Sequence, residues 1–185
     1  MYKVIEAFIE TYSSPAASVL EINSNSLQTL FAGVSSTTYQ STTFNPSTDN
    51  KLPFENSTFD IIVISFEKDP LFWMTFREMT RVVKSNGFIF SSAPNAGSAD
   101  KWRFFSDAGH VLAHWSTIPV YNEPVFPVSL IESFHVLNEE KNDLICVWKR
   151  LQEHVINTDI SLYTLQGPLE KAVNKKRVLT KTKYM

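Results

Sequence analysis

A single cysteine, Cys146, in 185 residues excludes an intrachain disulfide, and no Cys/His spacing of the zinc-ligand kind accompanies it. A reducing, cytosolic compartment is the expectation. No stretch reaches the roughly 18 consecutive apolar residues of a membrane span. The opening residues MYKVIEAFIE carry Glu6 and Glu10 and lack the basic and long apolar regions of a secretory signal. The chain is therefore expected to be soluble and cytoplasmic, with no membrane partner. The last 15 residues hold no acidic side chain, whereas Lys171, Lys175, Lys176, Arg177, Lys181 and Lys183 give them six cations. All 19 acidic residues precede this tail and face 11 basic ones, so the body carries about −8. A solvated terminus is preferred for the tail over a nucleic-acid contact.

What is present suffices for one ordinary domain: 43% hydrophobic and 13% aromatic residues can bury a core without staples. We place that domain at 1–150 and treat 151–185 as an extension. Val4, Ile5, Phe8, Ile9 and Tyr12 recur at helical spacing over 2–12, and Pro15 stops the helix. Residues 18–22 (SVLEI) read as a buried strand, and 35–50, rich in Ser, Thr and Asn, as loop with at most one weak strand near 37–44. Residues 59–65 (FDIIVIS) form a β-branched run suited to a central strand. Asp69 and Pro70 predict the start of a helix, Asn86 and Gly87 its C-terminal cap, and 88–92 the next strand. Strand, helix and strand imply a right-handed crossover and a parallel sheet. Ser106 and Asp107 predict a cap for a helix reaching Trp115, residues 116–130 are irregular, and 131–137 with 143–149 predict an edge hairpin.

The segment 52–60 (LPFENSTFD), the strand to Ser65, residues 76–87 (FREMTRVVKSNG) and the strand 88–94 together resemble the S-adenosylmethionine-dependent methyltransferases of the type 11 group. Their pattern runs LPF, FD, strand, REM-x-R-V, strand, proline. Residues 19–22 look like the first strand of that fold, and 100–106 (DKWRFFS) resemble a segment of members linked to sugar and surface-polysaccharide methylation. The resemblance implies an α/β, Rossmann-like class I methyltransferase fold: a mostly parallel sheet with an antiparallel edge hairpin. It implies a reduced version, because 21–52 is short for a helix and two strands.

The same resemblance implies a cofactor, S-adenosylmethionine, and a site for it. Glu21, Ile22, Asn23, Ser24 and Asn25 fall where the family places a glycine-rich loop that lets backbone approach the methionine end. Gln40 falls near its ribose-gripping acid, and Asp49 resembles the acid that faces adenine. Pro53 and Phe66 complete the set. The loop has no glycine, and no Asp or Glu lies between Glu21 and Asp49, so weak or absent binding is expected. Glycine at 23 and 25 with aspartate at 40 is expected to restore affinity.

Transfer to a hydroxyl needs a base, and histidine titrates in the useful range. His110 is the candidate, with Asp107 three residues before it and His114 four after. A metal site and a purely structural helix face are the alternatives, and no metal is assigned. Trp102 and Arg103 are candidate acceptor contacts, by stacking on a sugar and by gripping an anion, or else they pack a corner. Two functions follow: methyl transfer, as O-methylation of a sugar or another small polar acceptor, or a catalytically inactive module with this fold that binds a protein partner or an altered ligand. A homo-oligomer stays open under either.

Overall fold

The structure is a computed structural model that describes residues 2–31, 37–66, 71–95, 104, 107–118, 124–137 and 142–152. Asp69, Pro70, Trp102, Arg103, Ser106 and the basic tail, for which the sequence carries expectations, lie outside these residues. Helix α1 spans Tyr2–Tyr12, followed by β1 (Ser18–Ile22), the single-turn α2 (Gln28–Phe31), β2 (Thr38–Thr42) and β3 (Phe59–Ser65). Then come α3 (Phe72–Val82), β4 (Val83–Pro94), α4 (Ala108–Trp115), β5 (Val128–Leu137) and β6 (Asn142–Arg150).

One six-stranded sheet has the order β2-β1-β3-β4-β6-β5. Its first four strands pair in parallel, and β6 pairs antiparallel with both β4 and β5. This is the mostly parallel, Rossmann-like sheet with an edge hairpin that the motifs implied. The stretch between β1 and Leu52 holds one short helix and one strand among its described residues, fewer than the helix and two strands of the full pattern.

Period-2 alternation sends β1 and β3 into two cores. Leu20, Ile22, Ile62 and Ile64 meet Phe76, Met79 and Val82 of α3 and Leu112 of α4, with Trp148 of β6. Val19, Ile61 and Val63 meet Ile5 and Phe8 of α1 on the opposite face, with Phe90 and Val147. Ile62 is fully buried, and each such side chain contributes about 1.5–3 kcal/mol. Among the described residues no helix is long and apolar enough to cross a membrane.

Two local expectations are corrected. Asn86 and Gly87 do not cap α3, which ends at Val82 and passes directly into β4. Asn86 takes a positive φ of 65° within a bulge, where the pairing of Phe59 with Val83 jumps to Ile61 with Phe88. Gly87 is required there by proximity, since a Cβ would lie 2.7 Å from the Asp60 carbonyl oxygen. Leu71 precedes α3, and the cap expected at Asp69 lies outside the described residues. Asp107 precedes α4 in helical conformation and makes no cap bond.

The resembling motifs prove to be one hydrogen-bonded unit. Glu78 accepts the Leu52 N–H at 2.7 Å, and Arg81 donates to the carbonyls of Phe54 at 2.7 Å and Leu52 at 3.1 Å. Glu78 and Arg81 also pair at 2.5 Å with side chains only 12% exposed. Helix α3 thereby fixes the path of the loop that feeds β3. At the amino end of the sheet Asp60 accepts from the Ser18 N–H at 2.8 Å, the Ser18 hydroxyl at 2.7 Å and Lys84 Nζ at 2.9 Å. Burial opposes the charge of Asp60, but these donors outweigh it and hold the carboxyl below its usual range.

Candidate functional site

Strand β1 ends at Ile22, and Asn23 turns the chain with φ 61°. Asparagine tolerates this left-handed conformation better than most non-glycine residues. The Asn23 N–H donates to the Thr42 carbonyl at 2.8 Å, and its Oδ1 accepts the Phe44 N–H at 2.7 Å. The side chain is thus drawn sideways onto the end of β2. Asn23 does the conformational work expected of a glycine while fastening two parallel strands.

Beneath this turn lies Glu21, 2% exposed. Its carboxylate accepts from the Ser26 N–H at 3.1 Å, the Ser26 hydroxyl at 2.8 Å, the Leu27 N–H at 3.0 Å and the Tyr39 hydroxyl at 2.5 Å. Burial alone would raise its pKa; the hydrogen bonds, led by Tyr39, prevail and lower it. Tyr39 is raised in turn by burial and by its bond to Glu21. Its ring stacks on Phe31 at 5.4 Å.

Above the turn, at the carboxyl ends of β1 and β2, an open recess of about 570 Å³ is lined by Asn23, Ser24, Asn25, Ser41, Thr42 and Thr43. Every lining side chain is a neutral amide or hydroxyl. Parallel α/β sheets bind ligands at this end, and sites for small molecules run to roughly 300–1,000 Å³. Of the predicted cofactor residues, Asn23, Ser24 and Asn25 line it, with Glu21 and Ile22 buried below. The others are not brought to it. Gln40 is exposed in mid-strand opposite Leu20. Asp49 is engaged by its own turn, accepting from the Asn45 N–H at 2.8 Å and the Thr48 hydroxyl at 3.2 Å. Pro53 is exposed on the Leu52 loop, and Phe66 is core, with Phe72 and Phe104 as aromatic neighbours.

Sequence reasoning missed Ser41, Thr42, Thr43 and Tyr39. A signal for the first three was available, because they lie at or just past the carboxyl end of a strand. Asp107, His110 and His114 are all exposed on or beside α4. Among the described residues no group of three or more His, Cys, Asp or Glu side chains could hold a metal ion. Cys146 is buried, which pushes its thiol up to about 11.

The recess can be tested against S-adenosylmethionine by its donors and acceptors. Amides and hydroxyls suit ribose hydroxyls and the polar ends of the ligand, and the volume admits it. No lining residue is a carboxylate, and neutral hydrogen bonds are about half as strong as charge-assisted ones. The residues therefore fit the group, with a weaker grip.

No protein-family model matches the chain, and no curated protein does. Solved structures do. The YcgJ protein of Bacillus subtilis superposes with a TM-score of 0.55 at 13% identity, covering 82% of this chain and 99% of that one. A SAM-dependent methyltransferase from Aquifex aeolicus gives 0.51 at 11% identity over 80% and 89% of the two chains. The [4+2]-cyclase SpnF gives 0.54 at 9% identity over 80% of each. The chain has the class I methyltransferase fold, in divergent form.

Proposed function

We propose that the chain is a methyltransferase that takes S-adenosylmethionine in the recess at the carboxyl ends of β1 and β2. The observation that carries this reading is the position of that recess: Ser24 and Asn25, where the resemblance puts a cofactor loop, form one wall and Ser41 to Thr43 the other. Fold alone does not assign chemistry, as the cyclase among the structural neighbours illustrates. The cofactor would supply an electrophilic methyl group. Ser24, Asn25, Ser41 and Thr43 would hold its polar groups and fix its orientation, which is the larger part of catalysis by alignment. His110, exposed on α4, is the proposed base that takes the proton of an acceptor hydroxyl, with Asp107 beside it in sequence. A sugar or another small polar acceptor is the proposed substrate; its support is the resemblance of residues 100–106, including Trp102 and Arg103.

Calorimetric titration with S-adenosylmethionine and S-adenosylhomocysteine tests the reading. Binding at tens to hundreds of micromolar is expected, about 4.5–7 kcal/mol of affinity. A flat titration at millimolar ligand, with the protein folded, would replace it by the non-catalytic binding module.

A further inference from the structure

We propose that Tyr39 is a positioning residue of the recess, setting the distance between its two walls through Glu21. The inference rests on the reading that the recess holds the cofactor.

The two walls belong to different segments. Ser24 and Asn25 come from the turn after β1, and Ser41 to Thr43 from the end of β2. The turn contains no glycine and has a single helical turn after it, and side-chain bonds add to the few backbone bonds that shape it. Glu21 provides them, since its two oxygens hold the Ser26 N–H, the Ser26 hydroxyl and the Leu27 N–H. Ser24 adds a side-chain bond to the same carboxylate, and another bond crosses to β2, where the Tyr39 hydroxyl donates at 2.5 Å. Tyr39 lies two residues before Ser41, at the foot of the second wall. Strand pairing places Glu21 opposite Ser41, so the phenol bridges diagonally to the neighbouring strand. Phe31 stacks on its ring and ties the end of α2 into the same unit.

One carboxylate therefore joins both walls, and Tyr39 is the only side chain of β2 among its hydrogen-bond donors. Asn23 also clasps the two walls where the turn begins, at Thr42 and Phe44; the phenol adds a second tie, through Glu21, to the far side of the turn at Ser26 and Leu27.

Tyr39→Phe removes the hydroxyl and keeps the stack. Two measurements are made at one pH, below the melting temperature: amide hydrogen exchange at Ser26 and Leu27, and calorimetric titration with S-adenosylhomocysteine. The control is Ser18→Ala, which loses hydroxyl contacts to Asp60 at the opposite end of the sheet. We expect Tyr39→Phe to speed exchange of both amides at least tenfold and to weaken binding at least fivefold, and Ser18→Ala to do neither despite lowering the melting temperature. Ser26→Ala, a smaller change on the same carboxylate, should act in the same direction if Tyr39→Phe folds poorly. Unchanged exchange, faster exchange with unchanged affinity, or an equal loss of affinity in Ser18→Ala overturns the proposal. If the unaltered protein binds no S-adenosylhomocysteine, the cofactor reading falls, and the clasp is then judged by the exchange rates alone.

Discussion

The segments 18–45 and 52–94 are built on the same plan, a strand, a helix and the next parallel strand, yet they carry opposite kinds of sequence information. Segment 52–94 carries most of the residues that resemble a methyltransferase pattern, and they are occupied in holding the fold: Glu78 and Arg81 fasten the Leu52 to Phe54 loop, and Gly87 makes room for the Asp60 carbonyl. Segment 18–45 has no glycine before Gly33 and no acid between Glu21 and Asp49, and it is the part that forms the polar recess. A dense motif can thus report architecture, while the recess is lined by residues outside it.

The largest effect that would sharpen this contrast is expected in β3. Ile62→Asp places a charge among fully buried side chains and should cost about 4 kcal/mol or more, leaving little folded protein in thermal or urea denaturation. Next, Arg81→Ala strands the Glu78 carboxylate and two carbonyls and should cost about 3 kcal/mol. A loss below about 1 kcal/mol in urea melts would show that the motif does not hold the loop.

Glu21→Gln should cost about 2 kcal/mol at neutral pH, since the amide can accept fewer of the bonds made to the carboxylate. Its pH dependence is the sharper test. Glu21 has a lowered pKa in the folded state, so its contribution is fully present above the ordinary carboxylate range and is lost as pH falls through the folded-state value. Between pH 7 and pH 3 the gap in urea midpoint between Glu21→Gln and the unaltered chain should close. A gap that stays constant would mean that Glu21 is not the ionised hub described above.

The smallest expected effect concerns the recess itself. The sequence suggested an acid at position 40, but Gln40 is exposed in mid-strand and Thr43 reaches the recess. Thr43→Asp should therefore raise affinity for S-adenosylhomocysteine up to tenfold, about 1.4 kcal/mol, and Gln40→Asp should leave it unchanged. Asn23→Gly should weaken the protein without improving binding, because the side chain it removes is bonded to Phe44.

Legibility in the sequence followed the range of the interactions. The run 59–65 announced a central strand because β-branched residues on both faces require two covers, and the edge hairpin followed from its turn-rich break. Asn86 and Gly87 misled because the left-handed residue that ends a helix is chemically the same as one that forms a bulge. At Asn23 the missing glycine suggested a blocked crevice, since nothing local reveals that the side chain is bonded to the chain 21 residues on. Tyr39 was invisible for the same reason: its hydroxyl matters only once β2 lies beside β1.

The most direct test of the account is a residue-resolved titration of backbone amides with S-adenosylhomocysteine. The recess reading predicts shifts centred on residues 23–25 and 41–43, with the amides of 52–66 and of α4 left nearly in place. Binding whose shifts centre on Asp49, Pro53 and Phe66 instead, with 41–43 silent, would contradict it.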